Sequence, residues 1–197
     1  MRKVIYSMLV SLDGFIEGPN GEHDWLQVDE EFHRFANRRE ADVDVHVLGR
    51  RMYEVMRFWD TADKDPASTE VELEFARLWQ ATPKLVFSTT LEHVGENAQL
   101  ASDNLAEAIT RLKEQPGKDI SVGGPDLAAT LMRLDLIDEY QVFVQPIIVG
   151  RGKSMFAEMD RPVQLRLLET RTFASGVIWL RYERVGQAKG GSDHDRD

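Results

Sequence analysis

Four short segments of the sequence carry groups that could hold a phosphorylated ligand, and each follows a run of strand-forming residues. They are Asp13-Gly14, Gly49-Arg50-Arg51, Ser88-Thr89 and Gly123-Gly124-Pro125. A glycine pair lets the backbone adopt positive φ and lets a ligand approach closely. A helix that begins behind such a pair presents free N–H groups and the positive end of its dipole, which attract phosphate. Guanidinium groups bind phosphate oxygens in a bidentate fork, and hydroxyl groups can donate to the same oxygens.

Each segment also has an interpretation without a ligand. The glycine pair could form only a tight turn, and short glycine motifs are weak signals. Arg50 and Arg51 could neutralise Glu54, and the two hydroxyls could cap the end of a strand. In an open α/β sheet, however, ligands bind at the carboxyl ends of the strands. Because all four segments are expected at such ends, together they predict a dinucleotide across one edge of the sheet.

These segments are held by strands that alternate with helices over the first two thirds of the chain. The strand-like runs cover residues 4–12, 42–48, 84–88 and 119–122. The C-terminal third has no long helix, and its strand-like runs cover residues 140–149, 164–173 and 177–184. This order predicts a three-layer α/β/α domain whose mainly parallel sheet carries antiparallel C-terminal strands. The domain is predicted to cover residues 1–185, and the polar residues 186–197 are predicted to form a disordered tail.

Composition excludes several classes of partner and site. The chain has 197 residues, a formal net charge of -10 and no cysteine. An acidic protein lacks the basic face that nucleic acid or an anionic membrane requires. Without cysteine there is no disulfide, thiol nucleophile or thiolate metal site, and the 5 histidines show no metal-ligand spacing. No run approaches the ~20 apolar residues that span a bilayer, and the start of the chain lacks signal-peptide features, so a cytoplasmic location is predicted.

Several motifs occur together in the order typical of a known family. They are Ser11-Leu12-Asp13-Gly14-Phe15-Ile16, Leu48-Gly49-Arg50-Arg51-Met52-Tyr53-Glu54, Val122-Gly123-Gly124-Pro125, and Leu136-Ile137-Asp138-Glu139-Tyr140 leading to Pro146-Ile147-Ile148-Val149-Gly150-Arg151-Gly152. Over residues 1–185 the sequence resembles the dihydrofolate reductase superfamily, in the branch that contains the reductase domain of bacterial riboflavin biosynthesis. The resemblance implies the dihydrofolate reductase fold, an NADPH cofactor and hydride transfer to a small heterocyclic, carbonyl or imine substrate. It also implies a homodimer that pairs through its antiparallel strands, and the apolar run 140–149 agrees with that expectation.

The resemblance assigns cofactor-binding roles residue by residue. Leu9 and Ile16 match positions beside the nicotinamide. The phosphate-binding positions match Gly49, Arg50, Arg51, Met52, Ser88, Thr89, Val122, Gly123, Gly124, Pro125, Asp126 and Leu127. The arginines and hydroxyls among them could pair with a 2′-phosphate, which predicts a preference for NADPH over NADH. Met52 departs from the family, because a threonine usually stands there.

Reduction also needs a proton donor and a surface for a planar substrate. The candidate donors are Asp13, Asp24, Glu30 and Glu31, of which Asp13 and Glu30 are the predicted catalytic residues. The family's acidic folate-binding residue falls near Glu30 by spacing from Trp25, although Glu30 and Glu31 could simply favour a helix N-terminus. Trp25, Tyr53 and Trp59 are the predicted substrate-binding residues, and Phe58 is a further candidate. Ordinary core packing is the alternative for each aromatic residue.

The sequence therefore predicts an NADPH-dependent reductase whose substrate it does not identify. Two alternatives stay open. One is a pyrimidine reductase of riboflavin biosynthesis, although nothing here resembles the deaminase half that is often fused to such domains. The other is a dinucleotide-binding module without catalysis.

Overall fold

A computed structural model describes residues 1–101 and 104–186 of the chain. The strands are β1 Val4–Val10, β2 Phe15–Glu17, β3 Val43–Gly49, β4 Lys84–Phe87, β5 Ala98–Leu100, β6 Asp119–Gly123, β7 Glu139–Val144, β8 Lys153–Ser154, β9 Leu165–Thr172 and β10 Ile178–Arg184. The α-helices are α1 Glu30–Glu40, α2 Arg50–Met56, α3 Glu70–Ala81, α4 Leu105–Glu114 and α5 Pro125–Arg133. Two short 3₁₀ turns, Arg57–Asp60 and Ala62–Lys64, connect α2 to α3.

Most of these strands form one sheet in the order β5-β4-β3-β6-β1-β7-β10-β9. Its central strand, β1, pairs in parallel with β6 and β7, and β3 pairs in parallel with β4 and β6. β10 pairs antiparallel with both β7 and β9. This confirms the predicted parallel sheet with antiparallel C-terminal strands. β2 and β8 pair separately as a small second sheet.

Helices cover both faces of the sheet because successive strand residues alternate between them. On one face, Val4 and Tyr6 of β1 pack with Ile109 of α4 and Leu131 of α5. On the opposite face, α1 packs its phenylalanines against β7 and β10, and α3 packs Trp79 against β3 and β4. The three-layer prediction is therefore confirmed.

Local sequence signals explain where the helices begin. Asp29 caps α1, and its carboxylate accepts a hydrogen bond of 2.7 Å from the Phe32 N–H. A capping box of Thr69 and Glu72 starts α3, as the Thr-x-x-Glu spacing predicts. Each of these caps satisfies N–H groups that have no partner within the helix.

Three details differ from the sequence-based prediction. Neither the two 3₁₀ turns nor β5 was predicted from the sequence. The strand-like run 140–149 is shorter than predicted, because β7 covers Glu139–Val144, and it lies inside the sheet between β1 and β10. The predicted tail lies outside the described residues, except for Gly186. No helix within the described part of the chain is long and apolar enough to cross a membrane.

Candidate active site

A cavity of about 1050 Å³ opens at the carboxyl ends of β3 and β6 and continues along the sheet beneath α1. It separates two apolar clusters on this face. On one side, Phe32 of α1 packs against Phe143 and Trp179, and on the other side Trp79 of α3 packs against Leu48. The strands between these clusters are β6 and β1, so their residues form the floor of the cavity.

The outer half of the cavity brings together the predicted cofactor residues from several strand ends. Twelve of the fourteen lie on its wall: Leu9, Ile16, Gly49, Arg50, Arg51, Met52, Val122, Gly123, Gly124, Pro125, Asp126 and Leu127. Ser88 and Thr89 do not line it. The volume is at the upper end of the range typical of ligand pockets, so this half can accommodate a large ligand.

Two different structural features explain why glycine stands at positions 123 and 124, at the start of α5. A Cβ on Gly123 would lie 2.6 Å from Leu48 Cδ2 and 2.9 Å from Met52 Cγ, so this glycine is required by the packing of α2 against β6. Gly124 has φ +104°, a conformation that disfavours side chains, and it is the N-cap of α5 without a side-chain hydrogen bond. The first N–H groups of α5 therefore have no side-chain cap, and Gly124 itself lies beside Gly49 and Met52 at the turn that follows β3.

Cations surround the mouth of the cavity, each beside a carboxylate. Arg51 lies 2.9 Å from Glu17, and Lys153 lies 2.6 Å from Asp126. These ion pairs are largely exposed, so the charges are held in place by contacts that solvent weakens.

Arg50 connects the mouth to the loop after β4. Its Nε lies 2.8 Å from Glu54, and its Nη1 donates a hydrogen bond of 2.8 Å to Thr90 Oγ1. Ser88 Oγ lies 3.4 Å from the same Thr90 hydroxyl and accepts hydrogen bonds from the Thr90 and Leu91 N–H groups. Arg50, Ser88 and Thr90 thus form a polar patch beside the cavity, and Thr90 was missed because only the two residues nearest the strand were considered.

The predicted catalytic residue Asp13 lies at the exposed end of β1 and does not line the cavity. Its carboxylate accepts hydrogen bonds from Ser11 Oγ at 2.7 Å and from the N–H groups of Val149 at 3.1 Å and Gly150 at 2.7 Å. The bond from Ser11, together with the two backbone bonds, lowers the pKa of Asp13 below its ordinary value. Asp13 therefore ties the turn after β1 to the loop after β7.

The other candidate proton donors do not line the cavity either. Glu30 is exposed and pairs with Arg34 at 2.7 Å. Glu31 accepts a 2.8 Å hydrogen bond from Arg171, which lowers its pKa. Asp24 is exposed in the loop before α1. The carboxylates of Glu30 and Glu31 are favourably placed at the start of α1, as the alternative interpretation had it.

The predicted substrate-binding aromatics are likewise outside the cavity wall. α2 turns Tyr53 towards the loop before β5, where its hydroxyl accepts a 2.8 Å hydrogen bond from the Gly95 N–H. Trp59 packs edge-on against Phe75 with ring centroids 4.7 Å apart. Trp25 is half-buried before α1. The aromatic residues that do line the cavity are Phe32, Phe75, Trp79, Phe87 and Phe143.

The inner half of the cavity, which we name the inner chamber, contains polar residues that the sequence analysis missed. Its floor is formed by Ser7 of β1, His46 of β3, Ser121 of β6 and Gln141 of β7, and its roof by Arg39 and Glu40 of α1. The strand register aligns Ser121 with His46, and Ser7 with Gln141. One polar residue on the same face of each of four adjacent strands is the signal that could have revealed them.

Comparison with known proteins identifies the family. The family described as RibD C-terminal domain matches residues 2–179 of the chain. The chain belongs to this family. The uncharacterized protein YyaP of Bacillus subtilis (strain 168) is 35% identical over 188 residues, which cover 94% of this chain and 96% of YyaP.

Solved structures show that the fold of this RibD C-terminal domain is also similar to that of dihydrofolate reductase. A putative riboflavin biosynthesis protein from Shewanella sp. PV-4 matches with a TM-score of 0.72 and 23% identity, over 93% of this chain and 99% of that one. Dihydrofolate reductase from Enterococcus faecalis, complexed with NADP(H), matches with a TM-score of 0.59 and 14% identity, over 92% and 96%. The family match therefore confirms the resemblance to the reductase domain of riboflavin biosynthesis, and the solved structures confirm the dihydrofolate-reductase-like fold.

Proposed function

We propose that this protein is an NADPH-dependent reductase that transfers a hydride to a small heterocyclic, carbonyl or imine substrate. The observation that carries the proposal is the convergence of twelve predicted cofactor residues on the outer half of one cavity. Membership of the RibD C-terminal domain family supports it, as does the similar fold of a dihydrofolate reductase complexed with NADP(H).

The residues around the outer half fit a dinucleotide. The uncapped start of α5 offers N–H groups and a positive dipole end to a pyrophosphate. The nearby Asp126 carboxylate is neutralised by Lys153, 2.6 Å away, which reduces its repulsion of an anion. Leu9 and Ile16 provide an apolar wall for a nicotinamide. When bound there, NADPH would supply the hydride, and the chain would supply orientation, exclusion of water and a proton.

The polar patch of Arg50, Ser88 and Thr90 fits the 2′-phosphate that distinguishes NADPH from NADH. A guanidinium and hydroxyl groups within hydrogen-bond distance of one another can bind several oxygens of one phosphate. Both arginines have a carboxylate partner, Glu54 for Arg50 and Glu17 for Arg51. Because Arg50 alone of the two also bonds to Thr90, we assign Arg50 the larger part of the selectivity. Thr89 is adjacent and exposed.

The first experiment measures NADPH binding by cofactor fluorescence and NADPH oxidation across a panel of pterins, pyrimidines and small carbonyl compounds. Binding with oxidation supports the reductase. Binding without oxidation by any acceptor supports a non-catalytic dinucleotide-binding module. A preference for a ribosylated aminopyrimidine supports the second candidate, a pyrimidine reductase of riboflavin biosynthesis, which the family match favours. A cytoplasmic location and a homodimer remain predictions.

A further inference from the structure

Glu40 and His46 form an acid–base pair at the inner end of the cavity. Glu40 Oε1 lies 2.7 Å from His46 Nε2, and only 15% of the glutamate side chain and 4% of the histidine side chain are exposed. The contact is close, but its angles do not meet hydrogen-bond geometry, and neither atom has another hydrogen-bond partner within the described residues. Both atoms are buried against each other and are closed to a ligand, whereas Nδ1 of His46 makes no hydrogen bond within the described residues and belongs to a ring that lines the inner chamber.

The other charged groups nearby, Arg39 on α1 and Glu139 on β7, do not pair with Glu40 or His46. Arg39 lies beside Glu40, but its Nη1 is 3.5 Å from Asp42 and its Nε is buried without a partner. Glu139 of β7 is fully buried and is held by Arg181 and Lys3. Although burial disfavours ionisation of Glu139, its hydrogen bonds keep its pKa below the ordinary value. Its charge is thus neutralised by other partners, unlike that of Glu40.

Lys84 faces the pair from β4 and Trp79 faces it from α3. Lys84 aligns with His46 in the sheet, and its ammonium group lies 4.4 Å from the centroid of the Trp79 ring and donates to the Trp79 carbonyl. Burial lowers the pKa of Lys84 to about 8, against the opposing effect of Asp60 and Glu40. The imidazole of His46 lies 5.0 Å from the same indole ring, which gives it an apolar wall opposite the carboxylate.

We propose that His46 is the proton donor of the reductase and that Glu40 is the positioning residue that holds and stabilises its imidazolium form. The proposal rests on the reductase function proposed above. Reduction of a C=O or C=N group forms a C–H bond at carbon with the hydride, and the π electrons move to the heteroatom. That heteroatom then forms a bond to the proton of His46 Nδ1, and the N–H electrons stay on the imidazole, while Nε2 stays against Glu40. Water returns a proton to the neutral imidazole before the next cycle.

The position of His46 relative to the cofactor residues supports this role. Leu48 aligns with Gly123, and His46 aligns with Ser121, which is two residues further inward. That separation is about 7 Å along the strand, the width of a small ring system. Within the described residues, Ser7 and Ser121 make no side-chain hydrogen bonds and Gln141 Oε1 accepts none, so a polar ring between Gly123 and His46 finds partners on the floor.

Two variants and a matched control test the proposal. His46→Gln removes the titratable proton, and Glu40→Gln keeps the shape of the positioning residue but removes its charge. Glu70→Gln changes a carboxylate on α3 whose side chain is 88% exposed. For each folded protein, the NADPH dissociation constant, kcat and KM across pH, and the pH titration of the His46 ring resonance by NMR are measured.

We expect NADPH affinity to stay within about twofold, and kcat of His46→Gln to fall by about 10²–10⁴-fold, the range for a lost general acid. Glu40→Gln should move the pH profile of kcat and the midpoint of the His46 ring resonance to lower pH than in wild type, because the imidazolium loses a stabilising charge. Glu70→Gln should match wild type.

Unchanged kcat and pH profile in His46→Gln would overturn the assignment of the proton donor and leave the reductase function intact. An identical NMR midpoint in wild type and Glu40→Gln would overturn the pairing without reference to activity. A wild type that binds NADPH but oxidises it with no acceptor would refute the reductase itself.

Discussion

Gly124 links the backbone conformation at the start of α5 to the proposed cofactor site, and a single methyl group there tests that link. In Gly124→Ala the new Cβ would lie 3.6 Å from Met52 Cβ and 3.8 Å from the Gly49 nitrogen. Both distances are ordinary contacts, so the methyl group fits sterically in the free protein. The backbone, however, has φ +104°, and a side chain in such a region costs about 1–3 kcal/mol. For a chain of this length each kcal/mol lowers Tm by roughly 2–4 °C.

The effect of Gly124→Ala on NADPH is expected to exceed what strain explains. The methyl group stands between the turn after β3 and the first turn of α5, where the pyrophosphate would approach the backbone. Loss of one charge-assisted hydrogen bond costs about 1.5–3 kcal/mol, so the dissociation constant should rise roughly 10- to 150-fold. Gly124→Val, which is larger, should abolish binding. Affinity is measured by cofactor fluorescence at a temperature where circular dichroism finds both proteins equally folded.

Gly150→Ala is the matched control. Gly150 also has positive φ, +84°, but no atom lies within 4 Å of its Cβ position, and it does not line the cavity. This variant should lose stability and keep its NADPH affinity. If Gly124→Ala keeps its affinity as well, the pyrophosphate does not lie on the start of α5 and the cofactor must be sought elsewhere on the sheet.

Three further predictions address selectivity, pH and assembly. Arg50→Ala should weaken NADPH binding roughly 10- to 150-fold through a lost charge-assisted hydrogen bond, with little change in NADH binding, as measured by fluorescence titration. Arg51→Ala should weaken NADPH binding less. Equal wild-type affinities for the two cofactors would contradict the 2′-phosphate assignment. Because the folded pKa of Asp13 lies below its ordinary value, its contribution to stability is present at neutral pH and is lost as the pH falls through the lowered pKa. Asp13→Asn should therefore flatten the acid limb of the unfolding free energy in urea titrations, and parallel limbs would refute this. A homodimer, predicted from the family resemblance, should form through the edge strand β9, whose Leu165, Leu167 and Leu168 are exposed. Light scattering should give twice 22.5 kDa for wild type and the monomer mass for Leu167→Glu. A monomeric wild type would exclude the homodimer.

Local patterns explain why the fold and the outer half of the cavity could be predicted. Strand alternation and helical periodicity are properties of neighbouring residues, and the glycine-containing turns mark strand ends whatever the tertiary structure. β5 lacked such a signal, because it has only three residues with a polar one at its centre.

The inner chamber could not be predicted in the same way, because it depends on lateral register. Ser7, His46, Ser121 and Gln141 lie far apart in the sequence, and only the pairing of four strands brings them together. Glu40, which was not among the candidate donors, is a different case, since its position depends on helical phase. Glu40 follows Phe32 by eight positions and Ala36 by four, spacings that share one stripe of a helix, and all three line the cavity, whereas Glu30 does not. That signal was present in the sequence and was not used.

The cavity beneath the second half of α1 also affects how firmly that helix is held. Its first half rests on the phenylalanine and tryptophan cluster of β7 and β10, whereas Arg39 and Glu40 near its end lie over open space. A ligand that fills this space would act as the missing part of the core, and at 100 times its dissociation constant it would stabilise the fold by about 2.7 kcal/mol. The amide groups in the last turn of α1 should therefore exchange with solvent through local opening in the free protein and become protected when the chamber is filled. Hydrogen exchange in this one turn would therefore report the entry of a substrate into the chamber.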